Sequence, residues 1–119
     1  MSITTLSGQL HDLDYGDTYV LAVKPGAYSY ELTAMLYGTV AVKVEYHETP
    51  PLGSTEHDHW WKIEGKESTR SGTSIDGKFT VPKVYLDADT VAEKTEIRVT
   101  LSRAFASLAV DYRFIFQPA

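Results

Sequence analysis

The sequence predicts an all-β protein: a single antiparallel β-sandwich or jelly roll of about eight strands. Apolar and polar residues alternate with period two over most of the chain, a sustained helical stripe is all but missing, and turn-forming residues recur at short intervals. Tyr28, Tyr30, Leu32, Ala34 and Leu36 share one face while Ser29, Glu31 and Thr33 take the other, because successive side chains of a strand point to opposite sides. Val40, Val42, Val44 and Tyr46 repeat the pattern against Thr39, Lys43 and Glu45. Leu108, Val110, Tyr112, Phe114 and Phe116 repeat it against Asp111, Arg113 and Gln117.

Taken in order, Ile3 to Leu10 is a first extended segment, and it leads into the acidic turn from His11 to Asp17. Tyr19, Leu21 and Val23 then alternate with Thr18, Val20 and Ala22, and Lys24-Pro25-Gly26 closes that strand. The long strand Ala27 to Tyr37 meets Thr39 to His47 across Gly38, which reads as a tight hairpin. Glu48 to Glu56 contains two prolines and a glycine and so cannot belong to a sheet interior. His57 to Glu64 resumes a strand, and a polar stretch runs from Gly65 to Ser74. Asp76-Gly77 reads as a hairpin-type turn into Lys78 to Leu86, where Pro82 implies an edge position or a bulge.

Residues 90–108 fit two patterns. Ile97, Val99 and Leu101 alternate with Glu96, Arg98 and Thr100 as in a strand, whereas Ile97, Leu101, Ala104, Phe105 and Leu108 also share a helical face, with capping-box spacing from Thr90 to Glu93. The strand is favoured, because Thr95 to Thr100 is dense in β-branched residues that lose χ1 freedom in a helix.

A chain of 119 residues is expected to form one domain, residues 1–119, and to bury about two thirds of its unfolded surface without metal or disulfide staples. It contains no cysteine, which removes disulfides, thiolate zinc sites and cysteine nucleophiles from consideration. The formal charge of −5 and the lack of any Lys/Arg run argue against nucleic acid as a partner. No stretch approaches the roughly eighteen apolar residues of a membrane span, and Met1 to Leu6 has neither the basic start nor the apolar core of a signal peptide. Synthesis in a cytoplasm and no membrane partner are therefore expected. Eight tyrosines, each with a large apolar body and one polar tip, suit strands and interfaces alike.

Few residues carry chemistry. His57 and His59 are two apart, so on a strand they point the same way, and His47 lies across the intervening loop; three imidazoles converging there would suit zinc or another borderline metal. Partly exposed polar residues at a loop-to-strand entry account for the same pattern, and neither metal nor other cofactor is expected. In Asp12 to Asp17, carboxylates at alternating positions before a glycine have something of a calcium loop, but the third ligand position is Gly16 and the distal bidentate glutamate is replaced by Val23. Trp60 and Trp61 must face opposite sides of a strand. With Trp61 in register with Ile63 on the inner face, Trp60 falls among Asp58, Lys62 and Glu64, where an indole would anchor a protein partner or a sugar ring. Tyr85 and Tyr37 are further candidates for partner binding. No nucleophile elbow, phosphate loop or distinctive carboxylate pair is present, so an enzyme is not expected.

Three segments resemble the small β-sandwich head decoration (cement) proteins of tailed phages: the Met-Ser-Ile-Thr-Thr start, Val23 to Leu32, and the aromatic final strand Val110 to Ala119. The resemblance is one of style, spread over most of the chain, and transfers no functional residue. It implies a non-catalytic virion protein that binds the major capsid protein or another virion protein on the assembled head, often as a homo-oligomer, with a trimer favoured. The strand pair around Pro25-Gly26-Ala27-Tyr28 also resembles jelly-roll carbohydrate-binding and prepeptidase-type domains, so a carbohydrate-binding or adhesive module is the alternative.

Overall fold

The computed structural model describes residues 3–10, 16–36, 38–48, 59–70, 72–103 and 109–119. Among the described residues eight strands are formed: β1 (Thr4–Leu10), β2 (Asp17–Val23), β3 (Gly26–Leu36), β4 (Thr39–Glu48), β5 (His59–Arg70), β6 (Ser74–Val81), β7 (Thr95–Arg103) and β8 (Val110–Pro118). They pair antiparallel in two four-stranded sheets, ordered β1-β8-β3-β6 and β2-β7-β4-β5. Only β4 and β5 are both consecutive and paired; every other connection crosses between the sheets, which is jelly-roll wiring.

The two inner faces are chemically unlike. Tyr28, Tyr30, Phe79, Phe114 and Phe116 line the first sheet, with Tyr28 stacked on Phe79 at 5.4 Å and Tyr30 tilted on Phe114 at 5.4 Å between ring centroids. The second sheet answers with Val40, Val42, Val44, Ile97, Val99 and Leu101, all fully buried. Flat rings against branched aliphatics fill the space between sheets closely, and their alternation along each strand is the pattern legible in the sequence.

Two turns fall elsewhere than the sequence suggests. The Gly38 corner joins strands of different sheets, so it is no hairpin: β8 and β6 occupy both edges of β3, and β7 and β5 occupy both edges of β4. Gly38 takes φ +132° as the chain turns that corner. Asp76-Gly77 lies inside β6 and is no turn; the chain reverses instead around Gly72, whose N–H donates to the Ala34 carbonyl at 2.9 Å. Gly77 pairs with Tyr30, and a Cβ there would come within 2.7 Å of the Tyr30 ring. The glycine makes room for an aromatic ring that lies over the opposing strand.

The strand after Asp76-Gly77 ends at Val81, short of Leu86, with Pro82 just beyond the end of an edge strand, as a residue without an N–H requires. β5 runs to Arg70 through the polar stretch, held by its ladder to β4 despite a register irregularity between Val42 and Glu45. Thr95–Arg103 is a strand, paired on both sides; the later part of the alternative helical face, Ala104 to Leu108, lies outside the described residues.

One end of the sandwich, where β1 stops and β2 starts, is tied shut. The Tyr112 hydroxyl donates to Asp17 Oδ2 and meets the Tyr19 hydroxyl, each at 2.5 Å, joining β8 of one sheet to β2 of the other. Tyr112 pairs with Gly8, where a Cβ would lie 2.7 Å from the phenol oxygen. Burial, and then the hydrogen bond to Asp17, push the Tyr112 phenol far above the ordinary tyrosine range.

Candidate partner-binding pole

At the other end lie the starts of β1, β3, β5 and β7 and the ends of β2, β4, β6 and β8. The connection from β6 to β7 builds a small arm there. Ala92 N–H donates to Val84 O at 2.8 Å, Tyr85 bridges Val91, and Leu86 N–H donates to Thr90 O at 2.8 Å. At the tip, Asp87 Oδ1 accepts the N–H groups of Asp89 (2.9 Å) and Thr90 (3.0 Å), an Asx-type turn that reverses the chain. Those hydrogen bonds, the one from Asp89 foremost, hold the Asp87 carboxyl below its usual range. At the base, Thr95 Oγ1 donates to Pro82 O at 2.7 Å and fastens the arm to the sandwich.

The arm thus has an ordered backbone but exposed apolar side chains: Tyr85 is 62% and Leu86 68% exposed. Five of the seven large apolar residues exposed among the described residues, Ile3, Trp61, Tyr85, Leu86 and Val91, stand at this pole; the others are Val20 and Met35. Tyr85, Leu86 and Val91 are brought together on the arm by the Tyr85–Val91 bridge, whereas Ile3 beside β1 and Trp61 on β5 stand at opposite lateral edges of the pole. Of the residues the sequence singles out for partner binding, Tyr85 belongs to this group, while Tyr37 lies outside the described residues. Ile3, Leu86 and Val91 escape sequence reasoning, because exposure of a single aliphatic residue leaves no pattern.

The tryptophans take the faces that alternation assigns them, with burial reversed. Trp60 pairs with His47 on the outer face and is half-buried: His47 stacks on it at 4.8 Å, and the Arg98 guanidinium carbon lies 4.4 Å from the indole centroid. Arg98 Nε also donates to Glu45 at 3.0 Å, Lys43 Nζ is 3.7 Å from the same carboxylate, and His47 Nδ1 is 3.4 Å from Glu96. The Arg98 hydrogen bond holds the Glu45 carboxyl below the usual range, against the opposing effect of burial. The indole expected to seek a partner is covered by its own sheet, through side chains of β4 and β7 that are distant in sequence. Trp61 pairs with Tyr46 on the inner side but is 49% exposed, being near the start of an edge strand at the rim of the sandwich. Its neighbour His59 lies 5.6 Å away, ring to ring.

The histidine candidates separate. His47 pairs with Trp60 and His59 with Glu48, so the two imidazoles leave opposite faces of the sheet and cannot share an ion; His57 lies outside the described residues. Among the described residues no three His, Asp or Glu side chains are placed to hold a metal. Of the acidic turn, residues 11–15 lie outside the described residues, and Asp17 is engaged by Tyr112.

No protein-family model and no curated protein matches the sequence. Solved structures resemble it in fold. The N-terminal cellulose-binding domain of Cellulomonas fimi β-1,4-glucanase C superposes with a TM-score of 0.51 at 17% identity, over 100% of this chain and 80% of that one. The structure of infectious bursal disease virus Gx strain gives 0.48 at 8% identity, over 98% of this chain and 33% of that one, so this chain spans about a third of its length. The CBM22-1–GH10 modules of Clostridium thermocellum endo-1,4-β-D-xylanase 10B, complexed with xylohexaose, give 0.47 at 13% identity, over 97% and 25%. Likeness at these identities is likeness of fold alone.

Proposed function

We propose that the protein is a non-catalytic virion component, a phage head decoration protein that docks on the major capsid protein or another virion protein through the pole bearing the 84–92 arm. The observation that supports this reading is the exposure of Tyr85, Leu86 and Val91 together on an ordered arm at one end of the sandwich. Aliphatic and aromatic side chains on an ordered arm suit a protein surface, where apolar anchors enter pockets and a polar rim excludes water. Attachment of so small a chain to a symmetric shell gains from self-association, each bound subunit raising the effective concentration of the next, and a cyclic trimer would match sites on an icosahedral lattice.

A carbohydrate-binding module is the second reading, favoured by the exposed Trp61 indole beside His59. Weighing against it, the other indole is occupied by His47 and Arg98. The two readings part in one experiment. Purified protein is mixed with particles lacking it and sedimented, beside light scattering of the free protein and a glycan array. Co-sedimentation that Tyr85→Ala with Leu86→Ser abolishes is expected; a monomer that ignores particles and binds a glycan through Trp61 would transfer the conclusion to the carbohydrate module.

A further inference from the structure

Beside the arm, the same pole holds a cavity of about 330 Å³ between the sheets. Ala22, Val23, Tyr28, Phe116 and Pro118 give it apolar walls, and Thr4 with the exposed Lys24 and Lys94 completes its lining. We propose that this cavity receives one apolar side chain of an acidic, extended peptide segment of a partner protein.

Four observations converge on that ligand. The volume lies in the range of small-ligand pockets, and is enough for a phenyl or isobutyl group with room to spare. Tyr28 and Phe116 meet edge to face at 5.9 Å in the core, so the aromatic wall is already packed and need not rearrange. Neither lysine has a carboxylate within ion-pair distance among the described residues, although the chain as a whole carries −5; two unanswered cations beside an apolar hollow select an anion attached to an apolar group. Finally, among the described residues β2 is an edge strand that pairs with β7 alone; because backbone groups alternate sides along a strand, one of Ala22 and Val23 turns its N–H and C=O outward and can take up an extended peptide, which a free small molecule would not use. The Tyr28 hydroxyl donates to the Lys24 carbonyl at 2.5 Å and sets the position from which that lysine acts.

This inference goes beyond the particle reading and does not depend on it. It is tested on the full chain by nitrogen-15 chemical-shift titration with three probes: acetyl-Ala-Phe-Asp-Ala-amide, the same peptide with Asn for Asp, and the same with Ala for Phe. The first is expected to shift the amides of Val23, Lys24, Lys94 and Phe116, and each of the others to bind about five-fold more weakly, the worth of one exposed ion pair or more. Lys24→Gln with Lys94→Gln should weaken the first peptide likewise while leaving the second unchanged, with the unperturbed spectrum showing that the variant is folded. No shifts, shifts confined to other strands, or equal affinity for all three peptides would overturn the proposal, whether or not the protein binds particles.

Discussion

The two ends of the sandwich solve opposite problems with the same residue type. At the closed end a tyrosine, Tyr112, is buried to 1% exposure and spends its hydroxyl on Asp17 and Tyr19, stitching the sheets together. At the open end another tyrosine, Tyr85, stands on a hydrogen-bonded arm with its ring in solvent. A buried phenol requires a partner for its polar tip and a gap for its ring, and here Asp17 supplies the first and Gly8 the second. An exposed phenol needs neither, so nothing in the fold accounts for Tyr85, and its role is sought outside the chain. A buried tie between the sheets thus marks one pole and an exposed apolar arm the other.

The comparison is broken most forcefully at Gly8. Gly8→Ala should cost about 3 kcal/mol in urea unfolding, because the added methyl displaces the Tyr112 ring and breaks its hydrogen bonds as well as overpacking the site. A variant as stable as the parent would mean that the Tyr112–Asp17 tie holds little.

Removing the hydroxyl alone sharpens the point. Tyr112→Phe leaves the ring packing in place but deprives Asp17 of its donor, and a loss of about 2 kcal/mol is expected. The pH dependence separates this from a packing defect. Tyr112 holds its proton far more tightly folded than unfolded, so its contribution is complete below about pH 10 and declines above it, where the unfolded phenol ionises and the folded one does not. Tyr28 and Tyr46, also raised by burial, act in the same direction. Urea midpoints measured at pH 8 and pH 11 should fall for the parent and fall less for the phenylalanine variant.

The smallest effect is expected at the open pole. Tyr85→Ala and Leu86→Ser remove side chains that are mostly in solvent, and each should change stability by no more than about 0.5 kcal/mol. A larger loss in thermal unfolding would show that the arm packs back on the sandwich and is part of the core.

By itself the sequence determined the architecture and most of its membership. Period-two runs such as Tyr28 to Leu36 and Val110 to Phe116 are read correctly because burial of one face is a local property of a strand, repeated residue by residue. What only the tertiary structure decided is which strand meets which. Gly38 and Asp76-Gly77 look like hairpin turns in sequence, and both fail as such: glycine permits a tight turn, a corner between sheets, or the close passage of a ring, and the choice falls to whichever strands occupy the neighbouring edges. The same holds for the site. Alternation puts Trp60 on the polar face, but its cover by His47 and Arg98 depends on β4 and β7 lying alongside in one register. That the ends of eight strands meet at two poles is a product of the jelly-roll wiring, since long-range strand order is set by the cooperative packing of two sheets and by no local stretch of residues.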